Sequence, residues 1–164
     1  MHLHVYYTDK IECQCICMYS LRMNTPDKHT VQAWVNLVRS YHIALTTVES
    51  ALKTADLPAL SWYDVLLELE NSGVHGVRPF ELQSKLLLPQ YGVSRLVERI
   101  EQAGYLERVD CEEDGRGQSL VITKSGKKMR LRMWKVYGRA VHAAIGEKLT
   151  SRQAQELAVL LQKL

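Results

Sequence analysis

Seven basic residues and no acidic one lie between positions 118 and 139: Lys124, Lys127, Lys128, Arg130, Arg132, Lys135 and Arg139. The whole chain carries 21 Lys and Arg against 18 Asp and Glu, a formal charge of +3, so this positive block stands on an otherwise mildly acidic chain. Such a block offers a polyanion one limited surface, although a solvated helix face would look the same. Shortly upstream come Gln90, Tyr91, Ser94, Arg95 and Arg99. Arginine can grip a guanine edge through two hydrogen bonds or clamp a phosphate, glutamine can pair with adenine, and tyrosine can reach phosphate or a thymine methyl. Arg95 and Arg99 could instead form salt bridges with Glu98, Glu101 or Asp114. Arg116 stands between Gly115 and Gly117, small neighbours that let a backbone approach closely, and arginine suits a narrow, negative minor groove. An exposed turn arginine is the alternative reading of Arg116. Asp114 would repel phosphate if unpaired, which leaves it the task of holding an arginine in place.

Other reactive side chains form no catalytic arrangement. The sequence has no Gly-x-Ser-x-Gly, no phosphate loop, no His-Glu-x-x-His and no dinucleotide glycines, so neither an enzyme nor a cofactor is expected. His2, His4, Cys13, Cys15 and Cys17 are soft metal ligands, but Cys-x-Cys-x-Cys does not match the Cys-x2-4-Cys spacing of zinc sites, and no metal site is expected. Cysteines two apart in one strand are poorly placed to bridge each other. Cys111 has no Lys or His beside it and reads as inert.

The elements that must position these residues follow from periodicity. Apolar residues recur at helical spacing from Val31 to Leu52, with Asp27 as N-cap and Pro58 as stop. That helix would run about 42 Å at 1.5 Å per residue, long enough to pack outside its own domain. Ser61 caps a second helix with Val65, Leu66 and Leu69 inward and Gly73 as its end. Pro79 opens a third through Leu87, and Pro89 a fourth that ends at Gly104. At 100° per residue, Val93, Leu96, Val97 and Ile100 share the core side of the fourth helix. Tyr91, Arg95 and Glu98 lie opposite, flanked by Ser94 and Arg99. The period then changes to two: Tyr105–Val109 and Gln118–Thr123 make a hairpin around a polar turn. Thr123 caps a long helix to about Glu147, and Thr150 or Ser151 caps a last one striped by Leu157, Leu160, Leu161 and Leu164. The fold class is mainly α with a small β-hairpin wing. It is a winged helix-turn-helix with long N- and C-terminal helices, an arrangement that sets one helix in the major groove and the wing beside it. Residues 1–22 lack helical periodicity and read as a loose arm or an upstream extension, with Met23 a natural start. Asp9, Lys10 and Glu12 interrupt any signal-peptide core, and no apolar run approaches the roughly 20 residues a bilayer needs. A cytoplasmic protein is expected.

The stretch Leu86-Leu87-Leu88-Pro89-Gln90-Tyr91-Gly92-Val93-Ser94-Arg95-Leu96-Val97-Glu98-Arg99-Ile100-Glu101, followed by Gly104-Tyr105-Leu106-Glu107-Arg108, resembles the recognition helix and first wing strand of MarR-family transcriptional regulators. Asp114-Gly115-Arg116-Gly117-Gln118 and Leu120-Val121-Ile122-Thr123-Lys124-Ser125-Gly126 resemble that family's wing and the start of its fifth helix. The resemblance covers residues 27–164, and Pro89 departs from it where the family often has a Ser or Thr cap. It implies a MarR-like domain over 23–164, with dimerisation helices at 27–56 and 124–164 and a DNA-binding lobe at 57–123. The implied function is a ligand-responsive repressor that binds double-stranded DNA as a homodimer on an inverted-repeat operator. Gln90, Tyr91, Ser94, Arg95, Arg99, Arg116, Lys124, Lys127 and Lys128 would be the DNA contacts. Trp34, Tyr41, His42, Trp62 and Tyr63 could line a pocket for a small phenolic or other aromatic effector, although a Trp/Tyr stripe at helical spacing also suits a plain core. His142 is a helix-face histidine. Two other readings remain open: a metal- or thiol-responsive regulator that senses through the N-terminal His/Cys segment, and a winged-helix protein-interaction module.

Overall fold

The computed structural model describes residues 25–87, 92–110 and 117–164. The described residues divide after Asn36 into two units. In the first, Asp27 opens helix α1 (Lys28–Thr54). Its carboxylate accepts from the Thr30 backbone N–H at 2.7 Å, the contact that holds its pKa below the ordinary carboxylate value. This is N-capping, in which a side-chain oxygen satisfies a helix donor that has no intrahelical partner.

In the second unit α1 buries Val48 and Leu52. It stops at Thr54, short of Pro58, because Asp56 turns into the left-handed region at φ 52° and the Leu57 N–H bonds back to the Leu52 carbonyl at 3.0 Å. Helix α2 (Leu60–Asn71) starts one residue ahead of the Ser61 that the sequence suggests as its cap. Ala59 holds the cap position without a side-chain bond, and Glu49 of α1 accepts from the Leu60 N–H at 3.2 Å instead. Helix α3 (Pro79–Lys85) opens on its proline. Helix α4 (Val93–Gln102) begins after Gly92, whose φ of 78° and ψ of 42° suit a residue without Cβ. Pro89, expected as its first residue, lies outside the described residues. Gly104 at φ 74° ends the helix, with the Tyr105 N–H on the Ile100 carbonyl at 3.1 Å.

Strands β1 (Leu106–Asp110) and β2 (Gln118–Ile122) pair antiparallel, Leu106 opposite Ile122 and Asp110 opposite Gln118. Val77, just ahead of α3, adds a single bridge to Leu120 through bonds of 3.0 and 2.8 Å. Helix α5 (Lys124–Val141) follows, then a π turn at His142–Gly146 and helix α6 (Ser151–Leu161). Thr150 takes the α6 cap in a reciprocal capping box with Gln153.

Two apolar cores hold this unit together. One joins α2, α3, α4 and the sheet through residues such as Leu66, Leu69, Leu82, Ile100 and Leu120. The other joins α1, α2 and α5 through Val48, Leu52, Leu60, Tyr63, Met133 and Ala140. Each buried leucine contributes about 1.5–3 kcal/mol relative to exposure. Trp62 and Met129 pack against both cores. Among the described residues no helix is long and apolar enough to cross a membrane.

Candidate nucleic-acid interface

Burial of Leu96, Val97 and Ile100 fixes which side of α4 faces outward. Val93 packs half-buried on the same core, so Ser94, Arg95, Glu98 and Arg99 are exposed on the opposite side. Together with Gly92 and Gln102, the last three line one shallow depression. The salt bridges that could have occupied the arginines are not formed among the described residues. Glu101 accepts from Arg108 of β1 at 3.0 Å, and none of the ion pairs includes Arg95 or Arg99. Gln90, Tyr91, Asp114, Arg116 and Cys111, like the His/Cys segment 1–22, lie outside the described residues.

The wing strands and α5 meet at a tight joint. The Thr123 hydroxyl donates to the Gly104 carbonyl at 2.8 Å and accepts from the Gly126 N–H at 3.0 Å. The Thr123 N–H bonds the Tyr105 carbonyl at 3.0 Å. Lys124, Lys127 and Lys128 are exposed on the α5 turns that leave this joint, where the N-terminal end of the helix dipole adds to their attraction for anions. Arg132, Lys135 and Arg139 are exposed further along. Arg130 is not on the solvated face of this block: it is largely covered and ion-paired with Glu70 of α2. The basic block therefore serves two ends, three lysines toward solvent beside the wing and one arginine fastening α5 to the lobe.

The aromatic residues divide. Tyr63 is buried, stacked on Trp134 at 6.0 Å and edge-on to Tyr137 at 5.0 Å. Trp62 is half-buried with its edge toward Tyr105 at 6.1 Å. Tyr41 and His42 are exposed, as is Trp34 in the first unit. Trp134 and Tyr137, three apart on α5, escaped the sequence reading, although that spacing sets two side chains on one helix face. Burial, with Tyr63 and Asp64 nearby, pushes the Tyr137 hydroxyl above its ordinary pKa. Among the described residues no cluster of His, Cys, Asp and Glu could hold a metal ion.

Comparison with known proteins bears on the same lobe. Residues 55–117 match the family model described as MarR family. The HTH-type transcriptional regulator PapX of Escherichia coli is 33% identical over 66 residues, a stretch that spans 40% of this chain and 40% of that protein. The structure of Sco3205, a MarR family transcriptional regulator from Streptomyces coelicolor in complex with DNA, superposes with a TM-score of 0.73 at 22% identity, covering 84% of this chain and 86% of that one. The organohalide-sensing regulator RdhR-CbdbA1625 in its 2,4-dichlorophenol-bound form gives 0.67 at 18% identity, covering 86% and 85%. At these identities the structural likeness establishes the winged-helix fold.

Proposed function

From the match of residues 55–117 to the MarR family model, we propose that the chain is a sequence-specific DNA-binding transcriptional regulator. It acts as a homodimer on an inverted-repeat operator, a repressor that a small phenolic or other aromatic effector releases. The observation that carries this reading is the outward face of α4, where Arg95 and Arg99 are exposed without an acidic partner among the described residues. In this reading α4 enters the major groove, Arg95 donates to a guanine edge, and Gln90, Tyr91, Ser94 and Arg99 contact neighbouring bases or phosphates. Arg116 reaches the adjacent minor groove from the wing tip, and Lys124, Lys127 and Lys128 neutralise phosphates. Dimerisation is supported by α6, which buries none of its residues. A two-fold dimer presents two α4 helices to one face of DNA, so half-sites about one helical turn apart are expected.

The test separates base reading from charge neutralisation. Arg95→Ala is expected to weaken binding to the operator by about 1–3 kcal/mol while scarcely changing binding to scrambled DNA. Lys127→Ala is expected to weaken both similarly and to lower the salt slope by about one. Titrations of both duplexes at several salt concentrations check both. Equal losses on the two DNAs for Arg95→Ala would reassign it to phosphate positioning.

A further inference from the structure

Glu98 is exposed on α4 between Arg95 and Arg99 and lines the same depression. Among the described residues its carboxylate takes part in no ion pair: Glu101 is held by Arg108, Glu70 by Arg130 and Glu156 by Arg152. On a face that meets phosphates, an unneutralised carboxylate is repelled at every register along the duplex. A carboxylate only accepts hydrogen bonds, so the groove floor offers it relief solely at an exocyclic amino group. Cytosine presents that donor alone, whereas adenine sets the N7 acceptor beside its amino group and guanine presents two acceptors. The same two guanine acceptors suit Arg95. Arg95 and Glu98 are three residues apart, so they stand about 4.5 Å apart along the helix axis, little more than the roughly 3.4 Å between stacked bases of one strand.

Resting on the DNA-binding reading above, we infer that Glu98 is a specificity-determining residue: it accepts from the amino group of a cytosine next to the guanine held by Arg95. Its charge also weakens binding wherever that cytosine is absent. Phosphate attraction by the lysines is indifferent to sequence, and Glu98 turns part of it into discrimination.

The experiment selects bound sequences from random duplex DNA with the full chain as wild type, Glu98→Gln and Glu98→Ala. Each protein is then titrated against the selected operator and a scrambled duplex. The wild type is expected to select a guanine with an adjacent cytosine in each half-site. Both variants are expected to lose the cytosine preference alone and to bind scrambled DNA several-fold more tightly. The operator-to-scrambled ratio should fall by about tenfold or more. A gain in affinity cannot come from misfolding. Identical selected sequences for all three proteins would overturn the inference, whether or not overall affinity rises. A wild type that selects no sequence would overturn the DNA-binding reading itself, and the inference with it.

Discussion

Replacing Leu160 and Leu161 together by Glu is expected to convert the proposed dimer into folded monomers and to lower operator affinity by about 100-fold or more. Helix α6 buries none of its residues, and Leu157, Val159, Leu160, Leu161 and Leu164 are all exposed. An amphipathic helix with its apolar stripe in water is costly unless something covers it. Two leucines from each of two protomers, at about 1.5–3 kcal/mol apiece, amount to roughly 6–12 kcal/mol. A micromolar dimer rests on about 8 kcal/mol. The two charges would therefore leave little association at micromolar concentration. Sedimentation should show the mass falling to the 18.8 kDa of one chain. Neither core contains an α6 residue, so thermal unfolding of the cores should persist. Operator affinity falls because the second half-site is no longer engaged from the first, a tethering worth about 10²–10⁴. An unchanged mass would place the interface elsewhere.

Gly126→Ala is expected to destabilise the protein by about 1–3 kcal/mol, lowering its melting temperature by roughly 2–10 °C. In an open helix the change would stabilise by about 1 kcal/mol through helix propensity, so the sign tests the packing. A Cβ at this position would overlap the Tyr105 carbonyl oxygen and come within 2.8 Å of Ile122 Cγ1. The carbonyl cannot move freely, because the Thr123 N–H holds it at 3.0 Å. Gly138→Ala is the control: the nearest neighbour of its Cβ would be the Trp134 ring at 3.5 Å, an ordinary contact. Thermal scans of both variants should move in opposite directions, and a rise for Gly126→Ala would refute the tight joint.

The order of elements and the buried side of α4 were legible in the sequence because each rests on local periodicity. Val93, Leu96, Val97 and Ile100 recur at helical spacing, and the structure turns them to the core. Boundaries were less legible where two local signals compete. Pro89 suits a first helical position, yet Gly92 in the left-handed region sets the start of α4. Ser61 is a better cap than Ala59 by residue type, but Glu49, eleven positions before Leu60, supplies the bond. Features that join distant segments left no pattern at all. The Val77 bridge is one residue long, and the partner that takes Arg130 out of solvent is Glu70, on another helix. The exposed side of α4 was visible as a helical face, whereas the lack of an acidic partner for its arginines among the described residues depended on where Glu101 and Arg108 meet.

Met129 packs against both cores and Met133, one turn later on α5, belongs to the second, while the head of that helix is locked to the wing root by Thr123 and Gly126. Helix α5 is thus fastened at its head and packed along its first turns. Its 18 residues span about 27 Å at 1.5 Å per residue. Tilting such a helix by about 5° about its head swings the far end through roughly 2 Å, more than half the 3.4 Å step between base pairs. In the proposed dimer, leverage of this size makes the angle of α5 the quantity that would set the separation of the two DNA-binding lobes.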